Sequence, residues 1–326
     1  MGADTGGRGI EPLPDELQGR PIYVSCSGGK DSVATVLALR EAGVSIAAIL
    51  CADTGWEALE WYEWMARLPG LLGLPVTMVR ADIEVRSDLM PVVAEVEAAL
   101  GISPSPMVRR MLGKGLFPSR VMRWCTDDLK AAAMDAWRDE HGQDDAIIAT
   151  GVRAGESRAR AGYQPVEWMR AAKQWHWRPI LRWSLQDVLD IHQRHGIPLC
   201  PVYSKGVNRV GCWPCIPAAN KGEIRAIAET DARRVAAVAL LEAAVMAEKR
   251  RRFGDALGER QMWNDPLASE GSVTWAQMVE WSQTKRGGRT RDTQLGLWSR
   301  QEMSLPCRRM GYCDTAEGGD DDAYSC

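Results

Sequence analysis

The apolar positions of the first hundred residues alternate between two periods. Short runs at Ile22–Val24, Ile46–Leu50 and Val76–Val79 read as strands. Between and after them, Val33, Val36, Leu37 and Leu39 fall at helical spacing, and helices are predicted over Glu57–Met65 and Met90–Leu100. Further along, Thr126 is a good N-cap, with Asp127 and Asp128 in the first turn of a helix reaching about His141. Ala146–Thr150 reads as another buried strand, and Ser184 with Asp187 resembles a capping box for a helix to about His195. This β-α-β-α alternation predicts an α/β fold, a doubly wound parallel sheet with its ligands at the carboxyl ends of the strands.

The rhythm breaks twice. Residues 101–124 carry prolines, glycines and five basic residues (Arg109, Arg110, Lys114, Arg120, Arg123), and read as a long loop near the active site. Beyond Cys215 long helices take over. Asp231–Arg252 places Val235, Val238, Leu241, Val245 and Met246 on one face, and a second helix spans roughly Trp275–Lys285. The expected organisation is a flexible N-terminus (1–20), a nucleotide-binding domain with a cysteine cluster (21–218), a C-terminal helical appendage (219–300) and a flexible cysteine-containing tail (301–326).

Composition adds limits. A chain of 326 residues is long enough for this plan, and no apolar run in it is long enough to cross a bilayer. Met1–Gly19 lacks an apolar signal-peptide core, so a cytoplasmic protein without membrane contact is expected. A formal net charge of −3 gives no global basic field for nucleic acid. Local clusters at Arg109–Arg123 and at Lys285, Arg286, Arg289 and Arg291 could still contact its phosphates, whereas Lys249–Arg252 suits a helix C-terminus. Nine cysteines with no export signal point to metal or redox chemistry rather than to disulfides.

The sharpest local signal is Ser27-Gly28-Gly29-Lys30-Asp31-Ser32, between a strand and a helix. Two glycines let backbone N–H groups approach an anion, the helix N-terminus adds donors, and Lys30 adds a point charge. The Ser27 and Ser32 hydroxyls can donate further bonds. It is not a Walker A loop, because Val24 and Asp31 stand where that motif needs Gly and Ser or Thr. Asp53-Thr54-Gly55 closes the second strand, on the same side of the sheet, which suggests a nucleotide-facing role. Arg153 and Arg160 could grip sulfate or phosphate oxygens, or Glu156 could pair with either. Cys212-x2-Cys215 has a metal-chelating spacing, with Cys125 as a third ligand and Cys200 the nearest fourth. Four thiolates suit a [4Fe–4S] cluster or structural zinc, and spacing does not separate the two.

The six-residue loop resembles the pyrophosphate loop of the N-type ATP pyrophosphatase (PP-loop) superfamily. Further segments follow in order: Ala52–Glu57; Arg123-Trp124-Cys125-Thr126 with Leu129-Lys130; Gly151-Val152-Arg153 with Glu156-Ser157 and Arg160; Trp177–Ile180 through Trp183-Ser184 to Asp187-Val188; and Pro201-Val202-Tyr203 before Gly206, Arg209 and Gly211–Cys215. Together they resemble the phosphoadenylyl-sulfate (PAPS) reductase-like family, which also includes the sulfur-transfer subunit of DNA phosphorothioation systems. The likeness covers about residues 21–250. It implies an ATP, adenylyl sulfate or phosphoadenylyl sulfate ligand, which can bring magnesium with it, and an iron–sulfur cluster rather than zinc.

The sequence departs from the family at two places. Cluster-bearing adenylyl-sulfate reductases have two adjacent cysteines where this chain has Trp124-Cys125, which leaves room for an open iron that holds sulfide. The Glu-Cys-Gly-Leu-His tail nucleophile of assimilatory reductases is also absent, and Cys313 and Cys326 are the nearest substitutes. Lys30, Asp53, Arg153 and Cys313 are thus the expected catalytic groups. The expected reaction is sulfur transfer to an adenylate-activated acceptor, nucleic acid included, with reduction of the adenylyl sulfates as the alternative. Either implies a sulfur-donor protein or thiol reductant as partner. The rival class is a nucleotide-binding subunit without turnover.

Overall fold

The computed structural model describes residues 8–119, 121–141, 145–170, 172–218, 220–254, 263–264 and 272–284. Strands β1 (Ile22–Ser25), β2 (Ala48–Ala52) and β3 (Thr77–Val79) alternate with helices α1 (Lys30–Glu41), α2 (Leu59–Leu72) and α3 (Met90–Leu100). The stretch expected to be a long loop instead contains α4 (Pro106–Lys114). Its signals are local: Ser105 caps the Val108 amide at 3.3 Å, Pro106 fixes the first turn and Gly115 ends the helix at φ +63°.

Helix α5 (Trp124–Thr126) runs through a π-helical turn, Asp127–Ala131, into α6 (Ala132–Glu140). Thr126 therefore lies within the helical run, with helical φ and ψ, rather than capping it. After β4 (Ile147–Thr150) come the short α7 (Arg158–Ala161), an unforeseen hairpin of β5 (Val166–Met169) and β6 (Gln174–Trp177), and α8 (Leu185–Arg194) with its Ser184–Asp187 capping box. Helices α9 (Lys221–Thr230) and α10 (Ala232–Phe253) precede the ribbon of β7 (Trp263–Asn264) and β8 (Ser272–Val273), and α11 (Trp275–Gln283) follows it.

The six-stranded sheet has the order β3-β2-β1-β4-β6-β5, parallel except for β5 at one edge. The chain steps outward from β1 through β2 to β3, then returns to β4 on the other side of β1. A crevice opens at such a reversal, at the carboxyl ends of β1 and β4. Alternation along the strands splits the core. Val24, Cys26, Ile49 and Cys51 join the main cluster, while Tyr23, Leu50, Ala146 and Ile148 form a smaller one under Met134 and Trp137 of α6. Cys26 and Cys51 are small buried hydrophobes.

The N-terminal segment is anchored from Gly9 onward: its carbonyl accepts from the Trp183 indole at 3.0 Å, and the Glu11 carbonyl accepts from Trp177 at 2.9 Å. The apolar face of α10 is buried inside the chain, where Val238, Leu241 and Val245 join the main core against α3 and α4. Its basic end is clamped rather than merely solvated, since buried Glu248 takes Arg86, Arg251 and Arg252. Among the described residues, no helix is long and apolar enough to cross a membrane.

Candidate functional site

The loop Ser27–Gly29 leaves β1 and enters α1 with Gly29 as N-cap. Gly28 adopts φ +73°, a region that side chains other than glycine rarely occupy. The Ser27 carbonyl accepts from the Trp61 indole (2.8 Å) and the Gly28 carbonyl from the Trp64 indole (2.9 Å), both from α2. The loop's acceptors are thereby turned into the core, which is the orientation an anion requires of its cradle. Ser32 Oγ donates to the Gly29 carbonyl at 2.9 Å and lies 3.4 Å from Ser27 Oγ.

One α1 donor is already used. The Lys30 amide donates to the Tyr203 hydroxyl at 3.0 Å, and His192 Nε2 lies 2.8 Å from the Lys30 carbonyl. Tyr203 is fully buried and props the loop from a turn 173 residues away in sequence. Tyr203→Phe leaves that amide unpartnered, which costs about 1–3 kcal/mol. A lower melting temperature together with weaker ATP binding by calorimetry is expected, and native values of both would contradict the propping role.

Lys30 is buried and pairs with Asp31 at 3.0 Å, and Asp31 takes Arg153 Nε at 2.6 Å. Asp31 thus faces two cations at once. Gly151 makes this contact possible, because a Cβ there would come within 2.6 Å of the Asp31 and Ser32 backbone. Burial opposes ionisation of Asp31, but Lys30 and Arg153 outweigh it and hold the carboxyl below its ordinary value. The sign follows: this stabilisation is present above the unfolded value of about 4 and is lost as pH falls through the depressed folded one. The melting deficit of Asp31→Asn should therefore be largest at neutral pH and shrink in acid. A deficit equal at pH 3 and pH 7 would exclude it.

The β2–α2 loop is a closed network. Asp53 Oδ1 accepts from the Gly55 amide and from Tyr62, each at 2.8 Å, and Oδ2 takes the Arg80 guanidinium. Both oxygens of this proposed catalytic carboxylate are thus engaged in shaping the loop. Thr54 donates to Glu57 at 2.6 Å, and Gly55, at φ +67°, lies so close to Ser105 that a Cβ would meet its Cα at 2.5 Å. Arg160 pairs with Glu156, which also accepts from the Arg153 amide at 2.8 Å.

The Cys212–Cys215 turn docks on the same loop. Trp213 N donates to the Trp56 carbonyl and the Trp56 indole to the Pro214 carbonyl, each at 2.8 Å, while Cys212 Sγ lies 3.8 Å from Thr54 Oγ1. Burial pushes the Cys212 thiol up to about 12 and raises that of Cys125. Both feel Cys215, and both are pulled back by Lys130. Lys130 itself is raised, first by Cys212 and then by Glu57, Cys215 and Cys125, against the effect of burial. Arg209 reaches the Cys215 sulfur. Three thiols and two cations thus share one neighbourhood.

Cys200 lies at the start of the Pro201–Lys205 turn. Its thiol is raised to about 12 by burial, and its charged neighbour is Glu60. Among the described residues, no three Cys, His, Asp or Glu side chains are gathered as a single metal ion would need. A tetrahedral zinc holds its sulfurs about 2.3 Å away. Cys313, Cys326 and the Lys285–Arg291 cluster lie outside the described residues.

Trp61, Trp64 and His192 escaped the sequence reading, being indistinguishable there from core residues, and Tyr203 stood in a recognised segment without a role. Arg80 and Tyr62, which hold Asp53, carry no motif either. Lys130 and Arg209 stood inside recognised segments, but their chemistry depends on residues brought close by folding.

A glycine-bearing anion loop at the switch point of a mostly parallel sheet defines a nucleotide-binding α/β protein. Residues 21–218 match the family model described as phosphoadenosine phosphosulfate reductase domain, and the chain belongs to that family, whose members bind adenine nucleotides. An uncharacterized 37.8 kDa protein of Escherichia phage 186 is 32% identical over 307 residues, covering 81% of this chain and 89% of its own. An adenosine 5'-phosphosulfate reductase of Streptomyces coelicolor is 36% identical over 75 residues, 23% of this chain and 32% of that enzyme. The solved phosphoadenylyl-sulfate reductase of Candida auris, a phosphate complex, aligns with TM-score 0.43 at 10% identity over 61% of this chain and 84% of its own.

Proposed function

We propose that this chain is a PP-loop enzyme that activates an acceptor with ATP and transfers sulfur to it beside a [4Fe–4S] cluster. The observation that carries the reading is the shared use of one element. Helix α2 holds the phosphate loop through Trp61 and Trp64, and the loop entering α2 holds the cysteine turn through Trp56 and Thr54. Phosphate chemistry and thiol chemistry are thus built on the same scaffold.

In this reading the Ser27–Ser32 loop, Lys30 and Arg153 bind the triphosphate, with magnesium accompanying it. An acceptor oxygen attacks the α-phosphorus, pyrophosphate leaves, and the adenylate formed is displaced by a sulfur nucleophile with release of AMP. The sulfur comes from the persulfide of a donor protein, which a thiol reductant cleaves to sulfide with formation of a mixed disulfide. Cys125, Cys212 and Cys215 would hold the cluster, which supplies an iron able to bind sulfide. Lys130 and Arg209 offset the negative charge of the thiolates.

Reduction of adenylyl sulfate or its 3′-phosphate is the second reading, favoured by the short match to an adenosine 5'-phosphosulfate reductase. Cys313 would then be the nucleophile. Anaerobically purified protein truncated after Arg300 separates the two. Transfer expects ATP-dependent pyrophosphate release to survive and no sulfite to form. Loss of thiol-dependent sulfite release on truncation would establish the reductase, and neither activity in the full chain would favour a non-catalytic subunit.

A further inference from the structure

We propose that His192 is a proton-linked positioning residue of the phosphate loop. It is neutral in the nucleotide-free chain, takes up a proton when a nucleoside triphosphate binds, and then holds the first turn of α1 through a second hydrogen bond. The proposal rests on the nucleotide reading of the loop and adds a proton to its binding equilibrium.

The imidazole is buried and stands between two carbonyl oxygens. Nδ1 lies 3.0 Å from the Ile197 carbonyl, and Nε2 lies 2.8 Å from the Lys30 carbonyl. A carbonyl oxygen only accepts, and a neutral imidazole carries one N–H. In either tautomer, one ring nitrogen turns its lone pair toward an oxygen at hydrogen-bond distance. Only the imidazolium, with two N–H groups, satisfies both. The two contacts differ in consequence. Ile197 closes the end of α8, where its amide donates to the His192 carbonyl at 3.0 Å. Lys30 opens α1, and its amide is the one that donates to Tyr203. The proton on Nε2 therefore decides how firmly α8 grips the residue that carries the loop's cation.

Burial opposes the charged ring and holds His192 below the ordinary histidine range, against the pull of the two carbonyls. Of the charges on α1, Asp31 favours the imidazolium and Lys30 opposes it. The other charged groups around it are engaged elsewhere. Arg153 pairs with Asp31, and Arg194 and His195 at the end of α8 both meet Glu41 of α1. Asp187 serves the α8 capping box, and Asp190 accepts from Gln186 at 2.7 Å. The turn after α8 adds Cys200, kept protonated by burial, and Lys205, paired with Glu60. A polyanion on the loop adds negative charge at the end of α1 that His192 faces. The balance then moves toward the imidazolium, which couples proton uptake to binding.

The test is ATP calorimetry on the full chain and on His192→Gln, which keeps one donor but cannot gain a proton, across neutral and mildly acid pH in buffers of unlike ionisation enthalpy. The native chain should take up more protons on binding than the variant. Its affinity should also rise about tenfold relative to the variant's as the pH falls through the imidazole's titration, the gain that a one-unit rise in that titration supplies. A merely structural loss would weaken the variant equally at every pH. Nitrogen-15 spectra of the native imidazole give a readout independent of the variant's folding, and ATP should move the titration of His192 to higher pH. A ring that titrates at the same pH with and without ATP, one doubly protonated at neutral pH without ATP, or identical pH dependence in both chains would overturn the proposal. In each of those cases ATP still binds and the nucleotide reading stands. A native chain that binds no ATP at any pH would overturn both.

Discussion

Gly28→Val should weaken ATP binding by about a hundredfold, whereas Gly29→Ala should have an effect at least tenfold smaller. The φ of +73° at Gly28 strains a β-branched residue by about 1–3 kcal/mol. A Cβ there would also press on Met65 Sδ at 2.4 Å and on the Trp64 and Trp61 indole nitrogens at 3.2 and 3.3 Å. Those indoles hold the loop carbonyls, so relieving the clash releases one or both bonds, each worth about 0.5–1.5 kcal/mol. The sum is about two decades of affinity. Gly29 instead has extended dihedrals, φ −77° and ψ 162°, and its added Cβ would meet Tyr203 and Ser27 oxygens at 3.3 and 3.4 Å. A small shift accommodates it. Calorimetry with ATP on both variants, with melting curves to show that they fold, measures the contrast. Equal losses would mean that ligand approach, not loop conformation, sets the need for glycine.

Serine at Cys125, Cys212 or Cys215 should each lower bound iron and acid-labile sulfide more than about tenfold, the least expected when even an outer partner of a metal site costs that much. Cys200→Ser should leave both unchanged, because the charged neighbour of its thiol is Glu60, whereas Cys125 and Cys212 share the fields of Cys215 and Lys130. The measurement is iron and sulfide per chain after anaerobic purification. Iron lost equally from the Cys200 variant would make it the fourth ligand. Stoichiometric zinc without sulfide would replace the cluster with a single ion, and the described thiols would then have to close up around it.

Much of the site was legible because its demands are local. The phosphate loop needs two small residues and a helix start within six positions, and Cys212 and Cys215 need only one turn. The π-helical turn after Trp124 was not legible, since Thr126-Asp127-Asp128 makes as good a local helix start as any. Helix α4 was legible at Ser105-Pro106 and Gly115, but the basic residues between them drew the reading toward a loop. Strand β6 of the hairpin pairs with β4, a partner that its own periodicity does not announce.

The sequence by itself determined the alternation of strands and helices, the anion loop and the family, because periodicity and dihedral demands act over a few residues. Only the tertiary structure decided how the charges and thiols are spent. It paired Asp31 with Arg153 across 122 residues, gave the Lys30 amide to Tyr203 across 173, and set Lys130 among three cysteines. Those outcomes follow from strand order and helix docking, which bring together groups whose mutual attraction has no signature along the chain.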